Sequence, residues 1–318
     1  MNFLLRRIII AIFTVFLVSI LCFLCFSVIK GDPASYLAGI DSSSEHVAAL
    51  REEMGLNKNI FIRYFDWLSG FISGNLGNSY SFRGESISAL IAQRFPVTIS
   101  LALLSLFLII IIAVPVSLFT VKQEGSVTDN IVNFFTAAGI STPSFFLGLL
   151  FIFIFGFSIN LFIPGEYIDY KDSFTGFIGY LFFPALSIAI PNAAMLIKFL
   201  RGSLFSELKN DYVRTAKSKG LSRVIILRRH VLKNAILPSV TILAMIIAEV
   251  FSGSIIIEQV FTIPGTGRLL IAAISSRDYP LIQTLMVYTA FLVVAANTLA
   301  DIVNMIIDPR IRVSRDIR

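Results

Sequence analysis

The sequence predicts an all-α integral membrane protein with six transmembrane helices, and three observations carry that prediction. Of 318 residues, 56% are hydrophobic and only 14% charged, and the mean hydropathy is +0.83. Soluble domains carry about 25% charged residues and roughly 45–50% apolar ones. Six stretches are apolar over about the 20 residues that a helix needs to cross a hydrocarbon core roughly 30 Å thick. Basic residues crowd alternate connections between these stretches, and acids collect in the others.

The first stretch, 8–29, follows Arg6 and Arg7. It is longer than the roughly 7–15 residues of a secretory h-region and lacks a small-x-small site before Lys30, so 1–30 is expected to stay as an N-terminal anchor. Cys22 and Cys25 lie inside it, with neither metal-ligand spacing nor a disulfide framework.

Residues 31–94 are expected to form an extracytoplasmic helical segment. Ser42 and Glu45 have capping-box spacing, Val47, Leu50 and Met54 recur with a helical period, and Gly55 suits a stop. A second helix carries Phe61, Phe65, Leu68 and Ile72 on one side, with Trp67 at interfacial depth. Residues 75–79 read as turns. A folded cap resting on the bilayer and a docking surface both fit this pattern.

Residues 95–307 hold the other five spans, 96–121, 131–157, 177–199, 235–257 and 281–307. Pro115, Pro143, Pro184 and Pro191 fall inside them, with Gly139 and Gly148 near the second of these. Broken helices are tolerated where neighbours or a water-filled path satisfy the freed backbone groups; a translocation path and ordinary bundle kinks both fit. Between the last two spans, Phe261-Thr-Ile-Pro-Gly-Thr-Gly-Arg268 is a turn. No strand precedes it, and Leu270 stands where a dinucleotide loop needs its third glycine.

One set of connections holds Arg6, Arg7, Lys122, the basic loop from Lys198 to Lys233 (Arg201, Lys209, Arg214, Lys217, Lys219, Arg223, Arg228 and Arg229 included), and Arg310, Arg312, Arg315 and Arg318 of the tail 308–318. The opposite set is acidic: Asp32, Asp41, Glu45, Glu52, Glu53, Asp66 and Glu85, then Glu166, Asp169 and Asp172. Basic residues stay inside, so both termini and the basic loop are expected in the cytoplasm. The net charge of +6 is a topology signal and calls for no nucleic-acid partner.

The loop 200–234 is too long for a simple turn. Asp211 is expected to cap a helix over 212–219, with Lys217 and Lys219 at the end where the helix dipole favours cations. Gly220 supplies a left-handed stop, and Ser222 caps a second helix running through Leu227 to Leu232. The first helix is too short to be stable alone. It presents Tyr212, Ala216 and Lys219 on one face and Val213, Ala216 and Gly220 on the next, the small residues leaving room for a partner's wall. A basic segment lying on anionic lipid fits as well.

Asp211-Tyr-Val-Arg-Thr-Ala-Lys-Ser-Lys-Gly-Leu221, followed by Leu227-Arg-Arg-His-Val-Leu-Lys-Asn-Ala-Ile-Leu-Pro238, resembles the coupling loop of ABC-importer permeases of the oligopeptide/dipeptide/nickel subfamily, in the B-type subunit. The resemblance extends along the chain through Leu4-Leu-Arg-Arg7, Gly31-Asp-Pro-Ala34, Asn75-Leu-Gly-Asn-Ser-Tyr80, Gly139-Ile-Ser-Thr-Pro-Ser-Phe145, Glu258-Gln-Val-Phe261, Pro264-Gly-Thr-Gly267, Arg277-Asp-Tyr-Pro280 and Asp308-Pro-Arg-Ile-Arg312. It implies a type I ABC-importer permease fold in the bacterial inner membrane. The implied partners are a homologous permease in a heterodimer, two ABC ATPase subunits and an extracytoplasmic substrate-binding protein. ATP hydrolysis then belongs to the partners, and the chain is no enzyme and holds no cofactor or metal.

The resemblance assigns ATPase coupling to Asp211, Tyr212, Arg214, Thr215, Ala216, Lys217, Lys219, Gly220 and Leu221. Ala216 and Gly220 occupy the motif's second alanine and its glycine. Arg214 and Thr215 stand where the broader importer family has Glu and Ala, and Lys233 where it has a later proline, with Pro238 further on.

Two other classes can be weighed. An intramembrane hydrolase needs nucleophile, base or metal groups, yet the only histidines are His46 and His230, and neither HExxH nor GxSG occurs. A proton-coupled carrier needs buried acids; Glu249 and Asp301 are the deeply placed ones, with Glu258 at the outer end of its span. Together with Pro143 they are candidates for the translocation path or for helix packing. Short peptides are the substrate class the resemblance implies first, with nickel or metal-chelate complexes as the alternative.

Overall fold

A computed structural model of the chain describes residues 3–28, 33–38, 43–82, 84–123 and 125–307. Lys30, Gly31, Asp32, Asp41, the expected cap Ser42 and the tail 308–318, with its four arginines, lie outside the described residues. In chain order the helices are α1 (Phe3–Val28), α2 (Pro33–Ala38), α3 (Ser44–Glu53), α4 (Ile60–Ser73), α5 (Ile87–Val121), α6 (Val127–Ser141), α7 (Ser144–Phe151), α8 (Phe174–Leu208), α9 (Asp211–Ser218), α10 (Arg223–Ile225), α11 (Leu232–Val260), α12 (Thr266–Ser275) and α13 (Tyr279–Ile307). π-helical turns extend α7 over Ile152–Ser158 and join α10 to α11 over Ile226–Val231. Among the described residues the only β pairing is an isolated bridge, Asn78 to Ser86.

Among the described residues five helices are long and apolar enough to cross a membrane, and there are six spans if the bent pair of α6 and α7 is counted as one. In that pair the span expected over 131–157 is broken at one of the prolines singled out in the sequence. α6 and the α7 extension meet at 100° across Thr142 and Pro143. The cause is local: the ring of Pro143 excludes the α region for the residue before it, and Thr142 is extended, at φ −95° and ψ 120°.

Pro184 and Pro191, by contrast, leave α8 continuous over 35 residues, about 52 Å at 1.5 Å per residue. Near them the Ser187 hydroxyl donates to the Pro184 carbonyl and the Asn192 amide to that of Ile188, neither of which is the carbonyl that a proline ring deprives of its donor four residues before it.

The chain forms two compact units, Met1–Arg7 with Ser100–Ile263 and Ala295–Arg318, and Ile8–Ile99 with Pro264–Val294. In the first, α8 is the central helix, packed against α6, α7 and α11. Gly139 and Gly148 are close-packing positions here, not helix breakers. A Cβ on Gly139 would lie 2.9 Å from the Cβ of Ala194, and one on Gly148 3.1 Å from the ring of Phe261. Small residues that let helices approach are a usual means of packing where no hydrophobic force separates protein from lipid. The Tyr180 hydroxyl donates to the Phe261 carbonyl at 2.7 Å and accepts from the Gly165 N–H at 3.1 Å.

In the second unit, Ile87, Leu90 and Ile91 join Leu269, Ala273, Leu281 and Ile282 in a buried core. This explains why α5 begins nine residues before the expected span: its first turns are buried in protein, a condition that hydropathy does not separate from lipid. α3 is capped by Ser43, whose hydroxyl accepts from the His46 N–H at 3.3 Å, and ends before Gly55 at φ +65°. On α4 the residue that faces inward is Tyr64, hydrogen-bonded to Ser19 at 2.8 Å and edge-on to Phe23. Phe61, Phe65 and Ile72, which share one apolar side in the sequence pattern, are exposed.

Asp278, the residue before α13, is fully buried and accepts from Ser79 Oγ at 2.5 Å and from the Ser81 N–H and hydroxyl, each at 2.9 Å. The N–H of Thr266, which opens α12, finds its acceptor in the Thr98 hydroxyl of α5 at 2.9 Å.

Candidate functional site

The loop between α8 and α11 presents a short helix on a buried base. At its start Asn210 is extended, at ψ 149°, and makes no side-chain cap. Its amide donates instead to Glu207 Oε2 at 3.0 Å, and that oxygen also accepts from the Tyr212 hydroxyl at 2.7 Å. Asp211, expected as the cap, is the first helical residue and is exposed, 3.5 Å from Arg214. Burial first, and then the hydrogen bond to Glu207, raises the Tyr212 phenol above its ordinary value, while a bond with Asn234 opposes them.

The inner face of α9 is set by Val213, fully buried, and Ala216, 7% exposed. They lie in one cluster with Val121 of α5, Leu200 and Leu204 of α8, Ile226, Leu227 and Val231 of the π turn, and Ala235 of α11. This corrects one detail of the expectation: Ala216 is turned into its own chain, so the wall that its small side chain admits is its own. The face left exposed carries Arg214, Thr215, Lys217, Ser218 and Leu221, with Lys219 and Gly220 at the end.

The helix stops as its sequence implies. Gly220 has φ +78°, its N–H donates to the Lys217 carbonyl at 2.9 Å, and the Leu221 N–H reaches back to Ala216 at 3.3 Å. These two bonds are a Schellman motif. The Ser222 carbonyl accepts from the Ile226 N–H at 3.0 Å and its hydroxyl from the Ile225 N–H at 3.5 Å, and the chain enters the π turn. Ile226, Leu227 and Val231 there face the core, while Arg228 and Arg229 stay exposed. α9 therefore presents a cationic face, seated on a core that ties it to three long helices.

The other candidates are not brought together. Pro143 marks the bend. Glu249 is exposed on α11, and Glu258 is fully buried on the same helix. Asp301 is paired with Arg7 at 2.8 Å. Among the described residues no three His, Cys, Asp or Glu converge as a metal site.

Two buried acids escape a reading of the sequence. One is Asp278. The other is Asp129 of α6, ion-paired with Arg201 of α8, which also donates to Asn133 Oδ1 at 2.5 Å. By sequence Arg201 belongs with the basic loop, yet only 7% of it is exposed. The available signals are Ser126 three residues before Asp129, a capping spacing, and an arginine directly after a long apolar run.

The family described as "Binding-protein-dependent transport system inner membrane component" matches residues 106–313, and the N-terminal membrane component of the same system matches residues 1–102. The chain belongs to this family. The Bacillus subtilis oligopeptide transport system permease protein AppB is 33% identical over 311 residues, covering 97% of this chain and 98% of AppB. A Sinorhizobium fredii protein named a probable peptide ABC transporter permease is 34% identical over 310 residues, covering 98% of this chain and 99% of that one. As a binding-protein-dependent inner membrane component, the chain is a multi-pass permease subunit of an ABC importer and not itself an enzyme. Membership implies ATPase and substrate-binding partners.

Proposed function

We propose that this permease is the B-type subunit of a peptide importer. It forms the translocation path with a homologous permease, takes peptide from an extracytoplasmic binding protein, and is driven by two ATPase subunits. The observation that carries the peptide reading is that two relatives, aligned over nearly the whole of both chains, are named for peptide transport.

The division of labour proposed for the chain is an anchor over 1–30, an extracytoplasmic segment over 31–94, a five-span core over 95–307 with the coupling loop 200–234 inside it, and a cytoplasmic tail over 308–318. α9 docks in a cleft of the ATPase through its exposed face, Arg214, Thr215, Lys217, Lys219 and Leu221. Asp211 and Gly220 define its two ends, and Tyr212 and Ala216 hold its base. Its buried base supports this reading: a push on α9 is received by residues of α5, α8 and α11 together, as a lever needs.

The test is uptake by proteoliposomes holding the complete complex and its binding protein. With ATP and no ion gradient, a labelled oligopeptide is expected to accumulate. Accumulation of nickel, with peptide excluded, would move the substrate to the metal-complex class. Uptake that follows a proton gradient and ignores ATP would overturn the reading altogether.

A further inference from the structure

Within the second unit α4 lies against α1, and the level of that contact along α1 is informative. α1 is apolar over Leu5–Ser27, 23 residues, or about 34 Å of helix at 1.5 Å per residue. That is little more than a hydrocarbon core of roughly 30 Å, so α1 has no spare turns to hold in water. The Tyr64 hydroxyl of α4 is hydrogen-bonded to Ser19 at 2.8 Å, and the Tyr64 ring is 6.4 Å from that of Phe16. Ser19 stands two turns inside the Ser27 end of the span, about 12 Å along the helix axis. A cap resting on the bilayer does not reach this level; the joint between α4 and α1 lies among acyl chains.

The sides of α4 fit that position. With 3.6 residues per turn, Tyr64, Trp67 and Phe71 share one side, Phe61, Phe65 and Ile72 a second, and Arg63 and Asp66 a third. The first side packs on α1, where Tyr64 and Trp67 both lie against Phe23. The second is bare: Phe61 is 71% exposed, Phe65 61% and Ile72 78%. On the third, Asp66 pairs with Lys58 at 2.8 Å, and both remain exposed. A bare apolar side and a charged side on one helix are the marks of a helix that lies in the plane of a membrane interface.

The two helices also enclose a groove of about 270 Å³, walled by Phe16, Ile20 and Leu24 of α1 and by Ile60, Phe61 and Phe65 of α4. The one side-chain hydroxyl in its wall belongs to Tyr64 and is bonded to Ser19. The groove's side chains therefore offer an occupant neither charge nor a free hydrogen bond, which suits an acyl chain and penalises any polar group. Phe16 and Leu24 are exposed on the span, so the bare side of α4 continues the apolar surface of α1 through the groove.

We propose that α4 is embedded, in the plane of the membrane, in the leaflet that receives the Ser27 end of α1, with lipid acyl chains covering Phe61, Phe65 and Ile72 and filling the groove. The inference rests on α1 crossing the membrane and does not depend on the peptide reading.

The test is nitroxide labelling of single-cysteine variants of the complete complex with its binding protein in proteoliposomes, with Cys22, Cys25 and every cysteine of the partners replaced. Collisions with oxygen, which concentrates in lipid, are compared with collisions with a water-soluble nickel chelate. Phe61 and Phe65 are exposed, so labels there leave the packing on α1 intact. Phe61→Cys and Phe65→Cys are expected to lose nickel collisions and keep oxygen collisions, as Leu17→Cys on the exposed side of α1 does, while Asp66→Cys shows the reverse. Nickel collisions at 61 and 65 equal to those at 66 would place this side in water, and protection from both reagents would place it under protein; either result overturns the proposal. Nickel collisions at Leu17→Cys would take α1 out of the membrane and overturn the proposal at its premise, leaving the peptide reading to its own test.

Discussion

Gly220 is required by its own backbone and not by its surroundings. Its φ is +78°, and a Cβ added there would meet no atom of the chain within 4 Å, so any crowding must come from another subunit. Asparagine tolerates the left-handed region better than other side chains, so Gly220→Asn is expected to retain most substrate-stimulated ATP hydrolysis in reconstituted complexes. Gly220→Arg is expected to insert normally and abolish that stimulation. Equal stimulation in Gly220→Arg and wild type would remove α9 from the coupling contact.

The Asp129 and Arg201 pair is a second residue-scale case. Removing one member of a buried ion pair costs about 3–5 kcal/mol because the other charge is left uncompensated. Arg201→Gln is therefore expected to lower thermal stability in detergent strongly, and Asp129→Asn with Arg201→Gln to recover much of the loss. Additive losses would show that the pair is not coupled.

Tyr167 lies in the connection before α8, outside the spans, and its hydroxyl is buried without a hydrogen-bond partner. Burial first, then the nearby Asp169 and Tyr170, pushes its phenol from 10.0 up to about 12. A raised value means that the folded state holds its proton more tightly than the unfolded one. The associated stability is complete below about pH 10 and declines as pH rises towards about 12. An ultraviolet absorbance titration is expected to show late-ionising tyrosine absorbance that falls by one residue's worth in Tyr167→Phe.

At the scale of elements, α9 shows how a helix of eight residues persists. Helices this short are unstable in isolation, so α9 depends on Val213 and Ala216 in the shared core. Val213→Asp places a carboxylate where a fully buried valine contributes about 1.5–3 kcal/mol. Trypsin is expected to cleave this variant at Arg214 and Lys217 well before wild type, with the long helices intact. Unaltered cleavage rates would show that α9 is held by something else.

The cation placement and glycine stop of α9 are legible in the sequence because left-handed stops are encoded within a few residues, whereas its start lies one residue earlier than the expected cap Asp211. The orientation of Ala216 is not legible, because two neighbouring faces carry small residues and only the core beneath chooses between them. Prolines show the same limit. Pro143 bends its span by 100° while Pro184 and Pro191 leave α8 continuous, two outcomes that the residue type alone does not tell apart.

For the whole molecule, the charge bias by loop predicts an orientation that cysteine labelling can read. In intact cells Lys217→Cys is expected to react only from the cytoplasm and Asp172→Cys only from outside; labelling of both from one side would invert or break the proposed topology.

The sequence by itself determined that the chain spans a membrane, where five long helices lie, and that a short basic helix stands between two of them. Each of these depends on free energies summed over adjacent residues: apolar transfer along a span, or hydrogen bonds within one cap. Only the tertiary structure decided how sharply the third apolar run bends, that Arg201 leaves the basic loop to meet Asp129, and that Asp278 is buried beneath two serines. Those outcomes join groups 72 and 199 residues apart. A buried charge is tolerable only when its partner arrives from elsewhere in the fold, and a linear reading holds no record of that arrival.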